Sequence, residues 1–260
     1  MIRVVTAIYG TRHLPFLVVL LESLRRIGVD RPVVVAADVG CGMKRLPGSP
    51  EIVSIDGEQF GEERYLRVSR KLRAWCVGLA ACRDGDAVAF LDADTMVLRP
   101  LEAAFAEEFD VAYTARDGKW PVNSGVVFAR VSGHVVGFFA AWRGLTEWVL
   151  DDVERNQVAV DHFGGADQAA LMMAVAMHRG NAALKFVALP GSVWNETRCR
   201  TDVESVAIAH LKGCLQLLLR QRDYGPHLGD ERSPEACEGL FGIWREMQDA
   251  ARGKMGTQEG

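Results

Sequence analysis

The chain has no surplus of basic charge. Lysine and arginine total 30 against 34 aspartates and glutamates in 260 residues, a net charge of −4, so the electrostatic footprint of a nucleic-acid binder is missing. It has no Cys-x-x-Cys pair. Its six cysteines, Cys41, Cys76, Cys82, Cys199, Cys214 and Cys237, are dispersed. That spacing argues against a zinc ribbon or a dithiol redox motif and fits a reducing cytosol. The N-terminus lacks the basic, apolar and cleavage regions of a secretory signal and enters a strand almost at once. The longest apolar stretch there, Leu14–Leu21, is far too short to span a bilayer. Internal repeats and long linkers are absent as well. Residues 1–252 are therefore expected to form one domain, followed by a frayed polar tail over 253–260.

What the chain does have is enough apolar residue for a sizeable core, 49% hydrophobic against 25% charged, as soluble enzymes do. Short apolar runs alternate with helical periodicity. Arg3–Ile8, Pro32–Ala37 and Ile52–Ile55 read as strands, and Thr11–Arg26 as a helix that Gly28 can terminate. Ser69 is positioned to cap a helix reaching about Ala81, with Leu72, Trp75, Cys76 and Leu79 on one face. Later, Asp110–Tyr113, Gly125–Ala129, Phe186–Leu189 and Ser205–Ala209 read as strands. Val131–Trp148, Gly165–His178 and Ser233–Ala251 read as helices. Alternation of this kind predicts an α/β fold with a mostly parallel, doubly wound sheet, in which ligands bind beyond the C-terminal strand ends. Leu240, Phe241, Ile243 and Trp244 on the closing helix either complete the core or touch a membrane surface. The near balance of acid and base after Lys212 argues against a charge-driven anchor. The expectation is a cytoplasmic protein, with a peripheral contact at the inner membrane surface left open.

The chemistry concentrates in Asp86–Leu98. Ala87–Leu91 is a short apolar run expected to be a buried strand. It ends in Asp92-Ala93-Asp94. On extended backbone, residues i and i+2 point to the same side, so two carboxylates converge at a strand end. They repel each other unless a cation sits between them, and hard ions such as Mg²⁺ or Mn²⁺ prefer carboxylate oxygen. The same ion can hold a diphosphate. Two loop aspartates making turns are the plain alternative, and Asp84-Gly85-Asp86 just upstream reads as such a turn. The buried strand before Asp92 favours a metal.

Further segments follow in order: Lys71-Leu72-Arg73-Ala74-Trp75, Phe90-Leu91-Asp92-Ala93-Asp94-Thr95, Trp120-Pro121-Val122-Asn123-Ser124-Gly125-Val126, Gly165-Ala166-Asp167-Gln168 and His210-Leu211-Lys212-Gly213. Together they resemble the motif series of the GT-A glycosyltransferases, and the family 8 or glycogenin-like branch in particular. The resemblance implies a nucleotide-diphospho-sugar transferase fold, a nucleotide-sugar donor that is usually UDP-linked, a manganese ion and retention at the anomeric carbon. It implies Asp92, Asp94 and His210 as metal ligands. It implies Asp167, with Gln168 beside it, as the carboxylate near the donor sugar. Around the donor it implies Thr6, Ala7, Tyr9, Lys71, Asp92, Ala93, Asp117, Asn123, Ser124, Lys212 and Gly213. The small residues about Gly125 would let a sugar or ribose approach the backbone. His210 also closes the apolar run Val206–Ala209, at a strand end, whereas the other histidines read as ordinary ones.

Two departures from the family pattern stand out. Its acidic residue three positions before the Asp-Gln aspartate is Gly164 here, with Asp161 further upstream as a candidate substitute. Its late diphosphate-binding lysine is Gln216 here, leaving Lys212, Arg220 or Arg222 to supply the charge. None of the four tyrosines matches glycogenin's self-glucosylated segment. The acceptor, whether glycan, lipid-linked glycan, protein or small molecule, is selected by loops, and the polar loop Gly57–Arg67 carries no motif. Two other functions compete. Tyr9–Pro15 faintly resembles the N-terminal loop of a sugar-1-phosphate nucleotidyltransferase, but Thr6-Ala7-Ile8 lacks the glycines that cradle a triphosphate. A non-catalytic nucleotide-sugar-binding protein of the same fold is the other, and the intact Asp92, Asp94 and His210 set argues against it.

Overall fold

The computed structural model describes residues 2–11, 13–29, 31–37, 46–55, 66–116, 120–180, 183–197, 202–211 and 234–256. Among them a central sheet contains β1 (Ile2–Tyr9), β2 (Val33–Ala37), β3 (Glu51–Ser54), β4 (Ala87–Asp92), β6 (Val111–Ala115), β7 (Val122–Arg130) and β8 (Phe186–Pro190). Their spatial order is β3-β2-β1-β4-β7-β6-β8. Pairing is parallel through β3, β2, β1 and β4 and between β6 and β8; β7 runs antiparallel to both of its neighbours. The sheet is therefore mostly parallel, as the sequence predicts. A separate two-stranded ribbon joins β5 (Thr95–Val97) to β9 (Ile208–His210).

The helices are α1 (Leu14–Arg26), α2 (Leu66–Ala80), α3 (Gly133–Asp151), α4 (Val153–Phe163), α5 (Ala166–His178), α6 (Gly191–Trp194) and α7 (Pro234–Gly256). Strand periodicity sends alternate side chains to opposite faces. Val5, Val33, Val35, Val88 and Phe90 share one apolar cluster with Leu72 and Trp75 of α2, Phe138, Phe139 and Trp142 of α3, and Ala170 of α5. Val4, Ile8, Val34, Ala89 and Leu91 share another with Leu17, Leu20 and Leu24 of α1. In the first cluster the Phe90 ring lies 5.3 Å from Trp75 and 4.6 Å from Phe139. Such pairs add about 0.5–1.5 kcal/mol each beyond burial and clamp β4, the strand that ends in Asp92.

Several boundaries differ from the sequence expectation. α2 begins at Leu66, so Ser69 lies inside it rather than capping it; Leu66 and Arg67 are good helix formers and nothing breaks the turn before Ser69. β7 begins at Val122, so Asn123 and Ser124 lie within a strand rather than ahead of one. α4 was not expected; its apolar residues include the consecutive Val158, Ala159 and Val160, which show no helical spacing, and it is capped by the Asp152 side chain on Arg155 N. The run Ser205–Ala209 is a 3-10 turn over Val203–Ser205 followed by the brief β9. α7 continues to Gly256, past the expected start of the tail. Its Leu240, Phe241 and Trp244 are buried with Phe16 and Val19 of α1, and Ile243 packs against them. These residues complete the core and are not a membrane-facing patch. Among the described residues no helix is long and apolar enough to cross a membrane.

Candidate metal and donor site

Three backbone features assemble the site. The first is the end of β4, where Asp92, Ala93 and Asp94 are half-buried. The second is the register of β7. Leu91 pairs with Val126, which brings Asp92 over Gly125. On its other edge, β7 slips against β6 between Tyr113 and Thr114, whose partners are Val127 and Asn123. That irregularity leaves Ser124, Gly125 and Val126 out of the β6 ladder. The third is the ribbon, in which Thr95 pairs with His210 and Leu211 N donates to Asp94 O at 2.8 Å. It carries His210 to the aspartates across a separation of 116 residues.

Asp92, Asp94 and His210 each offer a ligand atom, and these atoms lie within 4.8 Å of one another. His210 Nε2 is 3.1 Å from Asp94 Oδ1 and 3.7 Å from Asp92 Oδ2. Two hard carboxylates and one imidazole suit a divalent cation such as Mn²⁺. Gly125 makes the approach possible. A Cβ there would lie 2.2 Å from His210 Cε1 and 2.8 Å from Asp92 Oδ2, far inside van der Waals contact. The glycine thus makes room for the candidate ligands themselves, whereas the sequence reading gave that space to a sugar.

Lys71 joins this cluster to a second one. Its Nζ lies 3.3 Å from Asp92 Oδ1 and 3.0 Å from Asp167 Oδ2, donates to Ser124 Oγ at 3.1 Å, and sits 5.0 Å above the Trp75 ring. Burial of the ammonium works against its charge, but the carboxylates of Asp92 and Asp167 outweigh it and raise the pKa. Ser124 Oγ also donates a short hydrogen bond to Asp167 Oδ2. Asp167 stands in the first turn of α5, where the helix dipole favours a carboxylate. Trp142 Nε1 donates to its carbonyl at 2.8 Å, so the aromatic core fixes the residue's backbone.

The remaining expected residues fall in two groups. Ala7 pairs with Asp92 across β1 and β4 and is half-buried. Tyr9 is half-buried at the end of β1, where its hydroxyl donates to Arg70 O. Burial raises the pKa of that phenol, against the pull of Arg70 and Arg73. Thr6, Asn123 and Gln168 are enclosed, and Thr6 Oγ1, Asn123 Nδ2 and Gln168 Oε1 have no protein partner. Asn123 Oδ1 accepts from Gly125 N at 2.8 Å, and Gln168 Nε2 donates to Phe163 O at 2.9 Å. Asp117, Lys212, Gly213, Gln216, Arg220 and Arg222 lie outside the described residues. Asp161 is exposed on α4 and accepts from Gln157 at 2.8 Å. Gly164 ends α4 at φ +78, and a Cβ there would lie 2.6 Å from the Trp120 ring. The residue at the family's acidic position is therefore held to glycine by backbone and by packing.

One residue of the site carried no sequence signal. Asn195, buried after the one-turn α6, accepts from His210 Nδ1 at 2.9 Å. It belongs to no motif. Only its place after Trp194, a buried anchor, marks the segment as fixed.

No protein-family model matches the chain, and a search of curated proteins finds no match. Solved structures do match. The galactosyltransferase LgtC, crystallised with donor and acceptor sugar analogs, is similar with a TM-score of 0.56 and 16% identity, over 97% of this chain and 99% of that one. The glycosyltransferase GlyE of Streptococcus pneumoniae TIGR4 gives 0.55 and 12%, over 96% of this chain and 63% of that one. A glycosyltransferase involved in glycosylation of the PBCV-1 major capsid gives 0.52 and 11%, over 81% and 93%. At these identities the likeness is one of fold.

Proposed function

We propose that this chain, which has the fold of the GT-A glycosyltransferases, is an enzyme that transfers a sugar from a nucleotide-sugar donor to an acceptor with the help of a divalent cation. One observation carries the reading: Asp92, Asp94 and His210 converge within 4.8 Å beyond the C-terminal end of β4, where sheets of this kind bind their ligands. Bound there, Mn²⁺ or Mg²⁺ would neutralise the donor diphosphate and act as a Lewis acid on the leaving group. A UDP-linked donor, Mn²⁺ and retention are the finer proposals, supported by the motif resemblance. The donor and acceptor analogs bound by LgtC support a nucleotide sugar and an acceptor sugar as partners.

In this reading Lys71 pairs with Asp167 and couples it to Asp92. The Asp167 carboxylate faces the anomeric carbon and offsets the positive charge that grows as the bond to the diphosphate lengthens. Ser124 holds that carboxylate's orientation. Thr6, Ala7, Tyr9, Ala93, Asn123, Asp117, Lys212 and Gly213 complete the donor's surroundings, and Gln168 backs Asp167. A single domain over residues 1–252 and a cytoplasmic setting belong to the same proposal. The test is a panel of nucleotide sugars scored by mass spectrometry for hydrolysis and transfer, with Mn²⁺ and with EDTA. Metal-dependent turnover of a UDP-sugar is expected. Tight donor binding without turnover would reassign the chain as a binding protein, and pyrophosphate release from a nucleoside triphosphate would reassign it as a nucleotidyltransferase.

A further inference from the structure

The geometry points to Asn195 as the positioning residue that decides which nitrogen of His210 faces the metal site, through a hydrogen-bond relay that starts at a backbone carbonyl. The inference rests on the metal-site reading above, but the relay can be followed donor by donor without it. The Asn123 carbonyl can only accept. Thr114 Oγ1 lies 2.8 Å from it and donates its single proton there. With that proton committed, Thr114 Oγ1 can only accept, and Asn195 Nδ2 donates to it at 2.7 Å. The same Nδ2 also reaches the Asn123 carbonyl at 3.4 Å.

With its amide nitrogen so engaged, Asn195 turns its oxygen to His210 Nδ1 at 2.9 Å. An amide oxygen cannot donate, so the proton sits on Nδ1. With a cation before Asp94 and Asp92, the ring keeps its lone pair on Nε2 for the ion; without one, Asp94 Oδ1 at 3.1 Å is itself an acceptor for a proton there. What the Asn195 contact fixes is the proton on Nδ1, which leaves Nε2 as the nitrogen free for a metal. Thr114 and Asn123 are fully buried, with Asn195 at 1% and His210 at 2% exposure, so water cannot readily stand in for a missing member. The relay spans β6, β7, the turn after α6, and β9. Glu196 N donates to Ile208 O, and His210 N to Glu196 O, which holds the Asn195 segment beside β9.

The experiment is a long-range ¹H–¹⁵N spectrum of the histidine rings in the metal-free protein, read for the proton on His210 Nδ1. A separate Mn²⁺ titration is followed by the EPR signal of the free ion. The expected result for His210 is a proton on Nδ1, whatever Nε2 carries beside Asp94 Oδ1. Thr114→Val, which keeps the shape and removes both hydrogen bonds, and Asn195→Ala are expected to erase that preference. Both are expected to weaken Mn²⁺ binding by about 10- to 100-fold, the usual cost of losing such a partner. A wild-type His210 with a bare Nδ1 overturns the proposal, as does a folded Thr114→Val protein with an unchanged Nδ1 proton and unchanged Mn²⁺ affinity. If neither variant folds, the wild-type spectrum still decides. A wild-type protein with the expected tautomer and no Mn²⁺ binding would sink the metal reading and leave the relay standing.

Discussion

Gly125→Ala adds one methyl group and is expected to dismantle the metal site. The new carbon would sit 2.2 Å from His210 Cε1, 2.6 Å from its Nδ1 and 2.8 Å from Asp92 Oδ2. Carbon atoms rest at about 3.5–4.0 Å, so the ring must retreat by roughly 1.3–1.8 Å. It is wedged in a buried slot and tied to Asn195, and it cannot retreat without breaking that bond. Metal–ligand distances tolerate only about 0.2 Å, so the shift removes His210 from the ligand set. We expect Mn²⁺ affinity, measured by calorimetry with UDP present, to fall by at least the factor of about 10 that follows loss of a mere supporting partner. Overpacking adds a stability cost of about 1–3 kcal/mol. For a chain of this size that lowers Tm by about 2–12 °C, seen by circular dichroism. A folded Gly125→Ala protein with native Mn²⁺ affinity and native turnover would refute the argument that the glycine exists to admit His210 and Asp92.

Other substitutions probe the same centre. Asp94→Asn is expected to abolish Mn²⁺-dependent turnover of a UDP-sugar while leaving the melting curve close to native, because Asp94 lies at the rim of the sheet and no cavity opens; undiminished activity in the folded variant would remove it from the ligand set. Lys71→Met takes the cation from between two carboxylates whose side chains are 17% and 11% exposed. It should cost about 3 kcal/mol in urea denaturation, the low end for breaking a buried pair; a neutral result would mean that solvent already screens Asp92 from Asp167. Asp167→Asn should lower kcat far more than it weakens donor binding, since its charge matters most as the bond breaks. Helix-dipole support alone predicts a loss of only about 0.3–1 kcal/mol of stability and near-normal turnover.

The sequence by itself determined the sheet-and-helix alternation, because strand and helix periods are local and Val5, Phe90, Leu72 and Trp75 display them within a few residues. It also pointed to Asp92 and Asp94 as a pair, but not by the right geometry: β4 ends at Asp92, and Ala93 and Asp94 form a turn into β5 rather than an extended strand, so it is the turn that brings the two carboxylates together. It pointed to His210 through its place at the close of an apolar run. What it could not determine was how these residues meet. β5 and β9 are three residues long, too short for any periodicity, yet their pairing brings His210 to Asp94. The space at Gly125 looked like room for a sugar, because nothing local says that a histidine 85 positions away in sequence fills it. Gly164 looked like a missing acid until its positive φ and the Trp120 ring accounted for it. Asn195 had no signature at all, because its role depends on donors and acceptors supplied by Thr114, Asn123 and His210 from separate strands. Local pattern decides what each segment is. The direction of a buried hydrogen bond and the clearance over a glycine depend on partners far along the chain, and only tertiary packing selects them.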